Sequence, residues 1–196
     1  MHKLTFGLLC GALALASIVA NAQTNLRVRG TVTAFDGKVV SVKSVDGKEL
    51  RLQFPESGVV AAARAITLAE IKPGDFVGVT SIRKEGVLTA REVHVLPRTA
   101  AEGHTPWDLG PESSMTNANI AKSVKSASGH ELTLEYKGGS QTIQVPDGTP
   151  IVTTVPADRA SLTPGTYIFT TAQVAADGTM TTQRIQAAKD GVKPPQ

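Results

Sequence analysis

Cysteine is all but missing from this chain. The one thiol, Cys10, falls inside an apolar N-terminal run. A chain that has lost that run has no disulfide, no thiolate metal ligand and no cysteine nucleophile. Aromatic residues make up 4% of the sequence, with a single Trp, too few for the stacking platforms that single-stranded nucleic acid needs. Neither sign of charge is concentrated: Lys and Arg number 20 against 17 Asp and Glu, with none of the basic stripes that mark polyanion binders. Lys38, Lys43, Lys48 and Arg51 are spread over two alternating segments and read as solvated strand faces. Past the N-terminal run, no apolar stretch approaches the roughly 20 residues of a membrane span. Catalytic signatures are missing too: there is no H-E-x-x-H, no G-x-S-x-G and no phosphate-cradling glycine loop before a helix. Ser113 and Ser114 lie near His104 and Asp108 in sequence, but geometry, not residue type, defines a triad. These absences point away from an enzyme and away from a nucleic-acid partner.

What is present starts with the leader. Residues 1–22 combine a basic start at Lys3, an apolar run from Leu4 to Val19 and a small-x-small site at Ala20-Asn21-Ala22. This is the layout of a secretory signal peptide cleaved after Ala22. Leu9 precedes Cys10, where a lipidated cysteine would require a small residue, so Cys10 is expected to leave with the signal. The expectation is a secreted, periplasmic protein with no transmembrane segment in its mature chain.

The remainder repeats itself. "RGTVTAFDGKVVSVKSVDGKEL" matches "KSVKSASGHELTLEYKGGSQTI" at a spacing of 92, placing Val32 on Val124, Val40 on Leu132 and Val42 on Leu134. "LAEIKPGDFVGVT" then matches "RASLTPGTYIFTT" at a spacing of 91, with Pro73-Gly74 on Pro164-Gly165. Each copy alternates apolar and polar residues with period two, as half-buried strands do. Asp-Gly turns at Asp36-Gly37 and Asp46-Gly47 separate the strands. The Ala-rich segment ending in Leu68–Ile71 holds good helix formers and stops at Pro73-Gly74. The pattern predicts an all-β protein of two tandem, small, OB-like five-stranded β-barrels. Each carries a short helical insert after its third strand. A split barrel or small sandwich is the alternative. The expected domains are residues 25–97 and 118–188, joined by a proline-rich connector at 98–117 and followed by a disordered tail at 189–196.

The "GTV…DG…V.VK..DGK" opening, the "IKPGDFVGVTS" run and the connector "GHTPWDLGPESSMTNA" resemble a family of secreted proteobacterial proteins. Its members carry small β-barrel domains of unknown function, often in tandem. The resemblance covers nearly the whole mature chain and implies a periplasmic soluble protein with no established activity. Some members carry a metal-transport permease label, which a chain without spanning helices does not fit.

The connector gathers the rare residues of the chain: His104, Trp107, Asp108, Met115 and Asn117. A large aromatic among prolines reads first as a plug between the barrels, with Asp108 or Ser113 capping turns. It reads also as a binding surface for an envelope protein or a small ligand, because loops on rigid scaffolds carry function. No cofactor is required. The alternative reading places copper or zinc on His104, Asp108 and Met115, which offer N, O and S donors, although their spacing follows no zinc template. His94, alternating with Val93 and Val95, is expected on an exposed strand face, and His130 in a turn.

Overall fold

A computed structural model describes residues 24–126 and 129–195; the expected signal peptide at 1–22 lies outside them. The described chain is all-β. Its strands are β1 (Thr24–Phe35), β2 (Val39–Ser44), β3 (Glu49–Gln53), β4 (Val59–Ala65), β5 (Phe76–Lys84), β6 (Val87–Val95) and β7 (Gly103–Pro106). They continue with β8 (Ser113–Ser126), β9 (Gly129–Tyr136), β10 (Gly139–Pro146), β11 (Ile151–Ala157), β12 (Tyr167–Val174), β13 (Met180–Thr181) and β14 (Arg184–Ala187). The helical inserts expected after each third strand are only single 3-10 turns, Leu68–Glu70 and Arg159–Ser161. The Ala-rich segment is strand β4 instead. Val60, Ala61, Ala62 and Ala63 are consecutive and all buried, because β4 runs between β14 and β11 with protein on both faces. Small side chains suit that doubly covered position, and packing overrides helix propensity there.

Pairing closes the strands into rings. β5, β6, β10, β9 and β8 form a closed five-stranded barrel, with β8 returning to β5. The other ring of pairings, the first in chain order, runs β1-β2-β3-β13-β12 and back to β1, so the five-stranded barrel is the second ring. Neither ring comes from one sequence repeat. The first three strands of each copy are completed by strands of the other. Each apolar core is mixed in the same way: Val28, Val42 and Leu52 pack with Ile168 and Ile185, while Val77 and Val93 pack with Leu132 and Ile143. The expected spans 25–97 and 118–188 are therefore sequence repeats but not separately closed barrels. The copies meet as equals at β4 and β11, antiparallel, where Val60 faces Ala157 and Ala65 faces Val152. These two pairs exchange under a shift of 92, so a local two-fold axis passes between the strands.

The structure also corrects the alignment of the repeats. Thr31 pairs with Tyr167 and Asn119 with Phe76. Gly165 N–H donates to Val32 O and Gly74 N–H donates to Ile120 O, both at 2.9 Å. Val32 therefore corresponds to Ile120, a spacing of 88, not to Val124, which is 41% exposed. The first hairpin of the second copy is four residues longer, and loops absorb such differences. In the tail at 189–195, Lys189 bridges Val192, and Pro194 and Pro195 are buried.

The exchange is testable by cross-linking. Asn25 and Gln173, both exposed, are direct partners across β1 and β12. Opposite residues in an antiparallel pair lie about 4.5–5.5 Å apart at Cα, within disulfide reach. In a chain starting at Gln23, Asn25→Cys with Gln173→Cys should oxidise to an intramolecular disulfide, read by mass and gel mobility. Asn25→Cys with Ile82→Cys, the pair an unexchanged barrel would bring together, should stay reduced; the reverse pattern would refute the exchange.

Candidate functional site

The connector is a hairpin. β7 pairs with β8 in the register His104–Thr116 and Thr105–Met115, so residues 113–117 of the expected connector already belong to a strand. The turn between them is tied by Ser113, whose hydroxyl donates to Trp107 O and Gly110 O, each at 2.7 Å. Trp107 N–H donates back to Ser113 O at 2.9 Å. Ser113 thus does the turn capping that the sequence suggested, while Asp108 does not.

The hairpin tip instead latches onto the other ring. The Arg27 guanidinium lies 3.7 Å from the centroid of the Trp107 ring, a cation–π stack. Arg29 donates twice to Asp108, at 2.9 Å to each carboxylate oxygen, and Arg27 adds a 3.7 Å ion pair. Arg29 lies 5.0 Å over Phe169. Burial pushes the Asp108 carboxyl up, but the Arg29 hydrogen bonds and the Arg29 and Arg27 charges outweigh it and hold its pKa below the ordinary 3.8.

His104 serves the other face of the hairpin. Its Nδ1 is 2.8 Å from Thr116 Oγ1 and its ring stacks near Tyr136, centroids 6.4 Å apart. Burial, with the Arg83 charge adding, pushes its pKa below 6.5. Met115 follows the opposite alternation and is 5% exposed. His104, Asp108 and Met115 therefore do not converge: one faces Thr116, one is held by arginine and one points the other way. Among the described residues, no three His, Cys, Asp or Glu side chains are grouped to hold a metal ion. Glu102 also points elsewhere, accepting from Lys137 N–H at 2.9 Å.

Trp107, Met115 and Asn117 instead line a cleft of about 390 Å³ between the two rings, together with His94, Pro97, Phe169, Thr171, Arg184 and Gln186. His94 corrects an expectation. Its side chain leaves the barrel as the alternation implied, yet it is only 5% exposed, because the outer face of β6 is covered. Glu92, two residues before His94, shares its outer face by alternation, and a bulge at Thr80/Ser81, where Glu92 and Ala90 are successive partners, sets this pair apart from the inward-facing Leu88 and Ala90. Glu92 Oε1 lies 3.2 Å from His94 Nδ1, without hydrogen-bond geometry. His94, Gly78 and Asn117 form one row across β6, β5 and β8. A Cβ on Gly78 would strike the His94 ring and Asn117 Oδ1, so glycine makes the room the imidazole occupies. Asn117 Nδ2 donates to Ala101 O at 2.9 Å. Among the described residues, Arg29 Nε, His94 Nδ1, Trp107 Nε1 and Asn117 Oδ1 are buried without hydrogen-bond partners, and of these four residues all but Arg29 line the cleft. His130 is on β9, not in a turn.

Sequence reasoning missed His94, Arg27, Arg29 and the β12 and β14 side chains. The signal that finds them is the repeat in its corrected register. Met115 and Asn117 correspond to Arg27 and Arg29 at 88, and His94 to Gln186 at 92. These are positions where the two copies carry different residue types: Arg against Met, Arg against Asn and His against Gln. No family model, curated protein or solved structure matches the chain.

Two outcomes follow for the latch. Trp107→Ala should destabilise by about 2–3 kcal/mol, below the roughly 3–5 kcal/mol of a fully buried aromatic, in urea unfolding followed by circular dichroism. Asp108→Asn should lower Tm at neutral pH. Because the folded pKa of Asp108 is depressed, its contribution is present above pH 3.8 and fades as pH falls through the folded value. The Tm gap between wild type and Asp108→Asn should therefore close on acidification. A gap that is constant with pH would show that the carboxylate charge is not what Arg29 holds.

Proposed function

We propose that the chain is a non-catalytic binding module of the bacterial envelope, with its ligand seat in the cleft that Trp107 helps to wall. The carrying observation is that two residues lining one cleft, Trp107 and Asn117, each hold a buried polar atom without a hydrogen-bond partner. A buried polar atom left unmet costs about 1–3 kcal/mol, and native proteins seldom keep several in one place. A ligand that accepts from the indole N–H and donates to the Asn117 carbonyl removes that cost on binding. The lining supports recognition: indole, amide and hydroxyl groups stand among apolar walls, as in small-ligand sites. Trp107 acts as plug and binding residue together, holding Arg27 with its ring face while the residue also lines the cleft.

The fold reading that fits best is a pair of OB-like barrels, each completed by the other copy's strands. The leader pattern of residues 1–22 supports export to the periplasm. The resemblance to secreted proteins with tandem small barrels agrees with this setting. The partner is accordingly a small envelope ligand or a segment of an envelope protein, with no nucleic acid.

The test is native mass spectrometry of the purified protein after exposure to the low-mass fraction of an envelope extract. Wild type should carry a discrete adduct that Asn117→Leu loses while its circular dichroism is unchanged. Bare protein in both cases, or an adduct indifferent to Asn117, would end the cleft reading.

A further inference from the structure

We propose that the cleft is a docking groove for an extended, proline-containing peptide, and that the chain's own Pro195 takes one end of it in cis. This rests on the reading of the cleft as a ligand seat and names the ligand class.

The occupant is visible in the fold. Pro194 and Pro195 are buried, and Pro195 lines the cleft with Trp107, Pro97 and Phe169. The segment is aimed there by a tight turn in which Lys189 and Val192 exchange backbone hydrogen bonds of 3.0 and 2.8 Å. Lys193 Nζ sits 5.2 Å over the Tyr167 ring. Proline pairs suit such a seat for physical reasons. An extended proline segment is stiff before it binds, so ordering it costs little, and aromatic-lined grooves pack against its apolar rings. Its carbonyls have no partner within the segment and its prolines have no N–H to satisfy. The receptor must therefore supply donors. Trp107 and Asn117 both line the cleft, and Trp107 Nε1, a donor, and Asn117 Oδ1, an acceptor, are buried without partners. A strongly charged small molecule fits less well: among the described residues, Arg184 is the only Lys or Arg of the lining, and no Asp or Glu contributes. The resident tail leaves Trp107 Nε1 unmet, so a peptide arriving in trans gains a hydrogen bond that the tail does not make. It must compete with a tethered occupant whose effective concentration is on the order of millimolar.

The single Trp gives one indole N–H resonance in a ¹⁵N-edited spectrum, which reports on this donor. The probes are the acetylated peptides Val-Lys-Pro-Pro-Gln, copied from the tail, and Val-Lys-Ala-Ala-Gln. In a chain ending at Asp190, the indole resonance should move from its full-length position. Millimolar proline peptide should then shift it saturably, and the alanine peptide should not. The full chain should need about tenfold more peptide for the same shift, as a tethered competitor implies. Should the truncated chain fail to fold, Pro194→Ala with Pro195→Ala in the full chain should give the same release and the same response. An indole resonance indifferent to the proline peptide, an equal response to both peptides, or equal responses of the full and truncated chains would overturn the proposal. A cleft adduct by native mass spectrometry together with no peptide response would remove the peptide and leave the ligand seat standing.

Discussion

A three-stranded meander cannot close on itself. It ends in two open edges whose backbone groups must be paired or covered. In this chain β1-β2-β3 and β8-β9-β10 are two such meanders, and each is closed by strands from the opposite repeat. The device that enforces this is β4 with its counterpart β11. Each strand runs from its own meander to the local two-fold axis and pairs there with the other, so the strands that follow are delivered to the far ring. Neither hydrophobic core is then complete without both copies, and β1 must find β12 across nearly the whole described chain. Pairing at that sequence distance is entropically costly before it is rewarded, and it makes the two rings one cooperative unit.

The cleft is a product of the same geometry. Exchange brings corresponding outer faces of the two rings together across the axis. A perfect repeat would present identical residues there. The copies differ: the first ring offers Arg27 and Arg29, and the second offers Met115 and Asn117 at the same places. The arginines are consumed by Trp107 and Asp108 of the hairpin tip, which ties the rings. The neutral residues are left to line the space that remains. Division of labour between equivalent positions lets one interface be both a structural joint and a polar cavity.

Much of the fold is readable in the chain because period-two alternation and Asp-Gly turns are local signals. The all-β class, the duplicated strand order and the importance of the connector come from such signals. What is not readable depends on partners far away in sequence. Ala61, Ala62 and Ala63 carry helix propensity, and only their position between β14 and β11 makes them a strand. Val32 resembles Val124 in letters, while the pairing with β12 and β5 shows Ile120 to be its counterpart. His94 obeys its alternation, yet what covers it is the other ring and the connector, which no periodicity reveals. Pro194-Pro195 has the composition of a loose end, yet both residues are buried.

The asymmetry of the cleft reduces to one pair of equivalent positions, Gly78 and Phe169, spaced by 91. On the second ring, the missing side chain at Gly78 leaves a hollow over the strand, and the His94 ring fills it beside Asn117. On the first ring, Phe169 fills the corresponding space and packs beneath Arg29. Phenylalanine at both places would displace His94 and remove the polar wall. Glycine at both would remove the aromatic wall and the surface on which Arg29 rests while it holds Asp108. A groove with one polar and one apolar side is what a segment needs when it presents carbonyls along one edge and hydrocarbon rings along the other. The divergence of the two copies at this single row therefore accounts for both the latch that joins the rings and the character of the space between them.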